Sequence, residues 1–190
     1  MNINFVSAFT INTPYEQEVE NLKKSLVQFG FSTEHIVPIQ NLGTWAKNCQ
    51  QKAKVIKGKL TELNEPIIWL DADAVINKEP ELFSRIEKNL AICVYRNEYL
   101  SGTIFLKPTQ QIHDLLDEWI IECEKNPTEW DQKILQRLIL KNNIDHEVLP
   151  TSYCKVDFFK ADDLVISQNQ ASRRFKKIIN NNNNNNNSLT

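Results

Sequence analysis

Cysteine is sparse and scattered. Cys49, Cys93, Cys123 and Cys154 include no pair at C-x-x-C spacing, which excludes the usual zinc and thioredoxin-like redox motifs. Several lie in apolar surroundings and read as reduced core residues. The only histidines are His35, His113 and His146, and none has a spaced partner, so each is expected to be structural or exposed. With 4 glycines, the chain offers neither G-x-x-x-x-G-K-[ST] nor G-x-G-x-x-G, which argues against a P-loop and a classical dinucleotide fold. No apolar stretch is long enough to cross a bilayer. The N-terminal MNINFVSAFT lacks a basic region ahead of an apolar one, unlike a signal peptide. The expectation is a soluble, cytoplasmic protein. With 22 basic and 24 acidic residues and a net charge of -2, there is no excess of positive charge for non-specific nucleic-acid binding.

What is present centres on Pro66-Ile67-Ile68-Trp69-Leu70-Asp71-Ala72-Asp73-Ala74-Val75-Ile76. Four apolar residues in a row read as a strand buried on both faces, as in a parallel sheet. Carboxylates are rarely buried without a partner, so the strand should end near Leu70 with Asp71 and Asp73 at its carboxyl end. Ligands of open α/β sheets bind in the crevice there. A D-x-D pair taken alone is usually a solvated turn. Placed between IIWL and AVI, it points to a site that holds a divalent cation between two repelling carboxylates.

The 190 residues suffice for one domain with a core. Ile3–Thr10 reads as a first strand, and Thr13, Pro14 and Glu16 open a helix with the stripe Val19, Leu22, Leu26, Phe29, ended by Gly30. Ile36–Ile39 is a second strand. Thr44 caps a longer helix with a buried stripe Ala46, Cys49, Ala53, Ile56, Leu60, Leu63 and an adjacent stripe Trp45, Asn48, Lys52. Strand–helix–strand–helix–strand implies parallel pairing. A short helix is expected at 79–83 and strands at 91–95 and 101–106. Helices should follow from Thr109 and from Trp130-Asp131-Gln132, and late strands at 146–150 and 164–166. The asparagine run 180–187 is expected to be disordered, so 1–178 should form the domain and 179–190 a tail.

A cation on Asp71 and Asp73 would accept diphosphate oxygens and offset the charge on a departing nucleoside diphosphate. Lys52, one helix earlier, could reach the same phosphates or be a solvated helix lysine. Asp131 opens a helix, where a carboxylate is favoured electrostatically, so its simplest reading is capping.

These segments resemble, in order over residues 3–175, the GT-A nucleotide-sugar glycosyltransferases, in particular the branch with glycogenin and the lipopolysaccharide hexosyltransferases. VSAFT and NTPY look like the family's nucleotide-binding strand and helix start, which would bring Ser7, Phe9, Thr10 and Tyr15 to the nucleotide. Lys52 is similar to the phosphate-contacting lysine. IIWLDADAVI resembles the D-x-D strand, with Asp71, Ala72 and Asp73. SGTIFLKP, with Ser101 and Gly102, resembles the family's acceptor-side strand, and WDQKIL the D-Q motif, with Asp131 and Gln132 as catalytic residues. Leu100 departs from the family's asparagine. Gln168 stands where the family has a metal-ligating histidine, and Arg173 could serve the diphosphate. The resemblance implies a single α/β GT-A-like (Rossmann-like) domain with a mixed, mainly parallel sheet flanked by helices. It implies Mn²⁺ or Mg²⁺ as cofactor and a hexose moved from a nucleoside-diphosphate sugar, UDP-sugar foremost, to a glycan, protein or lipid acceptor. Two alternatives stand beside it. One is a haloacid-dehalogenase-like phosphatase, whose D-x-D-x-[TV] motif also fits DADAV, with Ser101 and Asp162-Asp163 as later motifs. The other is a nucleotide-sugar binder without catalysis.

Overall fold

The computed structural model describes residues 4–156 and 163–186, with side chains to residue 180. Six strands form the central sheet, in the order β2 (Ile36–Ile39), β1 (Asn4–Thr10), β3 (Ile67–Leu70), β6 (Glu98–Leu106), β5 (Leu90–Tyr95), β7 (Glu147–Leu149). β1 pairs in parallel with β2 and β3, and β5 with β7; β6 runs antiparallel between β3 and β5. The sheet is therefore mixed and mainly parallel.

β3 is the centre because both its neighbours and both its faces are covered. All four of its residues are buried. Ile68 and Leu70 join a core with Val19, Leu22 and Leu26 of α1 (Tyr15–Gln28). Ile67 and Trp69 join a second core. It is built from α2 (Trp45–Leu63), α3 (Gln110–Lys125) and α4 (Asp131–Lys141). The alternation of one strand between two apolar layers is the reason for the unbroken IIWL run. Each large side chain fully buried in these layers contributes about 1.5–3 kcal/mol.

Local chemistry sets the helix starts. Thr44 Oγ1 accepts from the Lys47 N–H at 3.4 Å. Ahead of α1, Thr13 Oγ1 accepts from the Tyr15 N–H, while Glu16 reaches back to the Asn12 N–H at 3.0 Å, one residue before the expected partner. Gly30 takes φ +77° after α1, the left-handed turn that a side chain disfavours.

Four elements differ from expectation. β6 begins at Glu98, because Arg96 and Asn97, both at positive φ, form a tight hairpin with β5 without a glycine to mark it. The helix expected at 79–83 is a 3-10 turn at Glu81–Arg85, starting after Pro80. The last strand is β8 (Ile166–Gln168), which leaves the main sheet and pairs antiparallel with β4 (Ala74–Ile76). Finally, α5 (Ala171–Asn186) runs into the asparagine run and past the boundary expected at 178. Ile179 is buried and Asn180 Oδ1 accepts from the Trp45 N–H, so α5 is tied to the start of α2. Ile3, Asp162 and residues 187–190 lie outside the described residues.

The small β4–β8 sheet is fastened to the large one at Gly102. Gln168 Nε2 donates to Gly102 O and Thr103 Oγ1, both at 3.1 Å. A Cβ on Gly102 would lie 2.9 Å from Gln168 Cδ. Gly102→Ala should therefore expel the Gln168 amide and destabilise the protein by about 1–3 kcal/mol. In the Gln168→Ala background the same change should cost much less. Urea unfolding of the four proteins checks this; additive effects would mean that the close approach is not what makes Gly102 necessary.

Candidate active site

The β3 strand stops where its next residue must be polar. Asp71 N–H donates to Gly102 O at 2.9 Å, and Ala74 N–H to Asp71 O at 2.9 Å, which turns the chain into β4. Asp71 and Asp73 thus sit at the carboxyl end of the central strand, as the sequence pattern requires.

Lys52 lies on the inner stripe of α2, only 8% exposed. Its Nζ is 2.8 Å from Asp71 Oδ1 and 3.4 Å from Asp131 Oδ2. It also donates to Ser101 O at 3.2 Å and Ser101 Oγ at 3.1 Å, and sits over the Trp69 ring. Three N–H bonds face four protein acceptors, so in this structure the ammonium acts as a counter-ion. Burial alone would lower its pKa, but Asp131 and Asp71 outweigh that and leave it raised. Trp69 Nε1 donates to the same oxygen, Asp71 Oδ1, at 2.8 Å and helps fix that carboxylate.

Asp131 is the first residue of α4 and 1% exposed. Beyond the 3.4 Å ion pair with Lys52 its carboxylate has no hydrogen-bond partner, so it does not cap its helix as the simplest reading had it. Its main chain is held instead, through the Trp119 Nε1 donor at 3.1 Å. Burial pushes its pKa up against the pull of Lys52. Gln132 Oε1 accepts from the Ser101 N–H at 3.1 Å, which ties α4 to β6.

Asp73 is 8% exposed. Its Oδ2 accepts from the Ala171 N–H at 2.7 Å, and its carbonyl from the Asn169 N–H, so it anchors the start of α5. Burial, then the Asp71 charge, push its pKa up from 3.8 to about 6.

Two cavities meet at these residues. A smaller one, of about 120 Å³, is lined by Phe9, Thr10, Tyr15, Lys52, Asp71, Ala72, Asp73, Ser101, Asp131 and Gln132 among others. A larger one, of about 460 Å³, shares Asp71, Asp73 and Gln132 and adds Gly102, Gln168 and Arg173. Every expected site residue except Ser7 lines one or both. Ser7 is 1% exposed, its hydroxyl has no hydrogen-bond partner, and it faces neither cavity. Trp45 and Trp130 line both cavities and were not among the expected site residues. The stripe Trp45–Asn48–Lys52 carried the signal for Trp45; nothing in the spacing marked Trp130.

No cluster of three or more His, Cys, Asp or Glu side chains that could hold a metal occurs among the described residues. The donor set at this end of β3 is different: two carboxylates, and Gln168 Oε1, which is buried without a hydrogen-bond partner. An orphaned carbonyl oxygen beside Asp71 and Asp73 is hard-cation chemistry, so the residues fit Mg²⁺ or Mn²⁺.

With fold and site in place, the class is defined. Residues 43–185 match the family model for nucleotide-diphospho-sugar transferases, and the chain belongs to that family. It is a glycosyltransferase. In fold it is similar to the crystal structure of a glycosyltransferase involved in the glycosylation of the major capsid of PBCV-1. That match has a TM-score of 0.66 and 13% identity over 94% of this chain and 98% of the other. No curated protein matches it in sequence. No helix among the described residues is long and apolar enough to cross a membrane. The phosphatase alternative falls with the family assignment, and with two strand–helix units preceding β3.

The raised Asp73 pKa has a stability consequence. The folded state holds its proton up to about pH 6 and the unfolded state only to about 4. Stability from this group is therefore lost as pH rises through that window, reaching about 3 kcal/mol above it. Asn keeps the acceptor for Ala171. In chelator, Asp73→Asn should be the more stable protein at pH 7.5, with the advantage shrinking by pH 4.5. Urea unfolding at both values checks it; an equal gap would show that the carboxylate carries no burial penalty.

Proposed function

We propose that this glycosyltransferase is metal-dependent and moves a hexose from a nucleoside-diphosphate sugar, UDP-sugar foremost, to an acceptor hydroxyl. The observation that carries this reading is the junction of the two cavities at Asp71 and Asp73, with the Lys52–Asp131 pair in the wall of the smaller one.

In this reading the nucleoside enters the smaller cavity along Phe9, Thr10 and Tyr15, at the carboxyl ends of β1 and β3. Asp71, Asp73 and Gln168 hold the cation, which supplies positive charge to the diphosphate leaving group. Arg173 and Lys176 line the larger cavity and add positive charge on the α5 side. Ser101 and Gly102, on β6 beside the carboxylates, flank the donor. Lys52 pairs with both Asp71 and Asp131 and offsets their charge. Asp131, ion-paired to Lys52 and otherwise without a hydrogen-bond partner, would meet positive charge that develops on the sugar. The acceptor approaches through the larger cavity.

A panel of nucleotide sugars with Mn²⁺ tests the reading: slow sugar release and a raised melting temperature are expected with one donor. No stabilisation by any nucleotide sugar, with or without metal, would refute it. Asp131→Asn should lower turnover by about 10²- to 10³-fold with donor affinity nearly unchanged, because its effect belongs to the transition state. Steady-state kinetics beside calorimetric titration separate the two; an unaltered kcat would remove Asp131 from the chemistry.

A further inference from the structure

Trp130 stands in the wall shared by the two cavities and has no role in the donor reading. Trp130 is 38% exposed, an unusual state for a tryptophan beside a buried ionic centre. It directly precedes Asp131, and its ring lies 6.0 Å from that of Trp45, tilted by 52°. Trp45 is fully committed to the fold. Its indole N–H donates to Tyr15 Oη, and Lys176 Nζ sits 4.6 Å from its ring centroid. The indole N–H groups of Trp45, Trp69 and Trp119 all donate to protein, whereas that of Trp130 has no partner among the described residues. Trp130 therefore presents an open aromatic surface and a free donor at the cavity mouth.

The rest of the wall is mixed: Leu100, Cys154 and Val156 are apolar, and Arg173 and Lys176 are charged. Glu98, Gln132 and Gln170 line the same cavity. Gln170 Nε2 is a buried donor with no partner. Carboxamides both donate and accept, which suits neighbouring hydroxyls that do the same. A pyranose has hydroxyls at its rim and polarised C–H bonds on its faces. The C–H face is attracted to the electron-rich face of an indole, and the rim to carboxamides and a carboxylate.

Other acceptor classes fit less well. Leu100, Cys154 and Val156 line this cavity, but of the large apolar side chains exposed among the described residues only Trp130 does, so the apolar lining does not continue over the surface as a track for a lipid chain. The free edges of the main sheet, β2 and β7, contribute no residue to the cavity, so an extended peptide has no strand to pair with there. The cavity, at about 460 Å³, is within the size range of small-ligand sites.

We infer that the acceptor is a glycan whose accepting or neighbouring pyranose ring stacks on Trp130, with Gln132, Gln170 and Glu98 bonding its hydroxyls. This rests on the proposed function and names the acceptor class of the same site.

The test uses the full chain with UDP and Mg²⁺ and reads binding of methyl glucoside, galactoside and mannoside by saturation-transfer NMR. Titration with UDP is measured in parallel. One pyranoside should receive saturation at its C–H protons. Trp130→Ala should weaken its binding by about three- to tenfold, with UDP affinity and melting temperature unchanged, and Trp130→Phe should restore most of it. Pyranoside binding unchanged in Trp130→Ala, or no pyranoside bound while UDP binds normally, overturns the inference and leaves the proposed function standing. Weaker UDP binding in Trp130→Ala also overturns it, by assigning Trp130 to the donor. Absence of UDP binding by the unaltered protein overturns the functional reading, and the acceptor assignment with it.

Discussion

The Lys52 ammonium, buried among Asp71, Asp131 and Ser101, is the interaction on which the site's geometry depends. It joins four elements: the inner face of α2, the turn after β3, the middle of β6 and the first residue of α4. A buried cation between two carboxylates tolerates little displacement, because removing one partner leaves an uncompensated charge, typically at a cost of about 3–5 kcal/mol. The pair also explains why α2 carries two stripes. One packs into the core through Ala53, Ile56 and Leu60, and the other turns Trp45, Asn48 and Lys52 towards the site.

Around this fixed centre, the walls pack on the core through Ala74, Ile76, Val165 and Ile166 and are held in position by specific contacts. Asp73 holds the start of α5 through Ala171. Gln168 holds β8 against β6 through Gly102 and Thr103. Tyr15 packs edge-on against Phe175, and Arg174 pairs with Glu18. These contacts join residues that would hold a cation to the elements that close the cavities. In the proposed function, loading the site and fixing its walls are therefore the same event, because Asp73 and Gln168 take part in both.

Much of this arrangement was legible in the sequence. IIWL had to be a central strand because no other element buries four consecutive large residues on two faces. The carboxylates had to lie at its end because a sheet interior does not hold them. Thr44 was a cap by chemistry alone. What was not legible depends on contacts between distant parts of the chain. The Arg96–Asn97 hairpin adopts positive φ without glycine, so composition did not reveal it. β8 is displaced by two residues because its partner is β4 and not the main sheet. α5 persists into the asparagine run where Ile179 and Asn180 find partners on α2, a tertiary gain that low intrinsic propensity does not show. Asp131 looked like a cap, and only its burial beside Lys52 separates it from one. Trp130 had no periodic partner, and its role follows from where two cavities meet.

The site's charge balance links the two ligands in the proposed function. Asp71 and Asp131 pair with one ammonium, Lys52, and Asp73 lines the same cavity, so acidic groups outnumber basic ones at the site. A diphosphate entering alone would meet that field with only Arg173 and Lys176 on the far wall to offset it. A divalent cation entering alone finds two carboxylates already committed in part to Lys52, Trp69 and Ala171, and a neutral carboxamide as third donor. Each ligand supplies the charge that the other lacks. Metal and nucleotide should therefore bind as a unit, each raising the affinity of the other by the same factor. In the proposed function, a neutral carboxamide at Gln168 in place of a histidine would strengthen this dependence, since it would leave more of the coordination to the diphosphate.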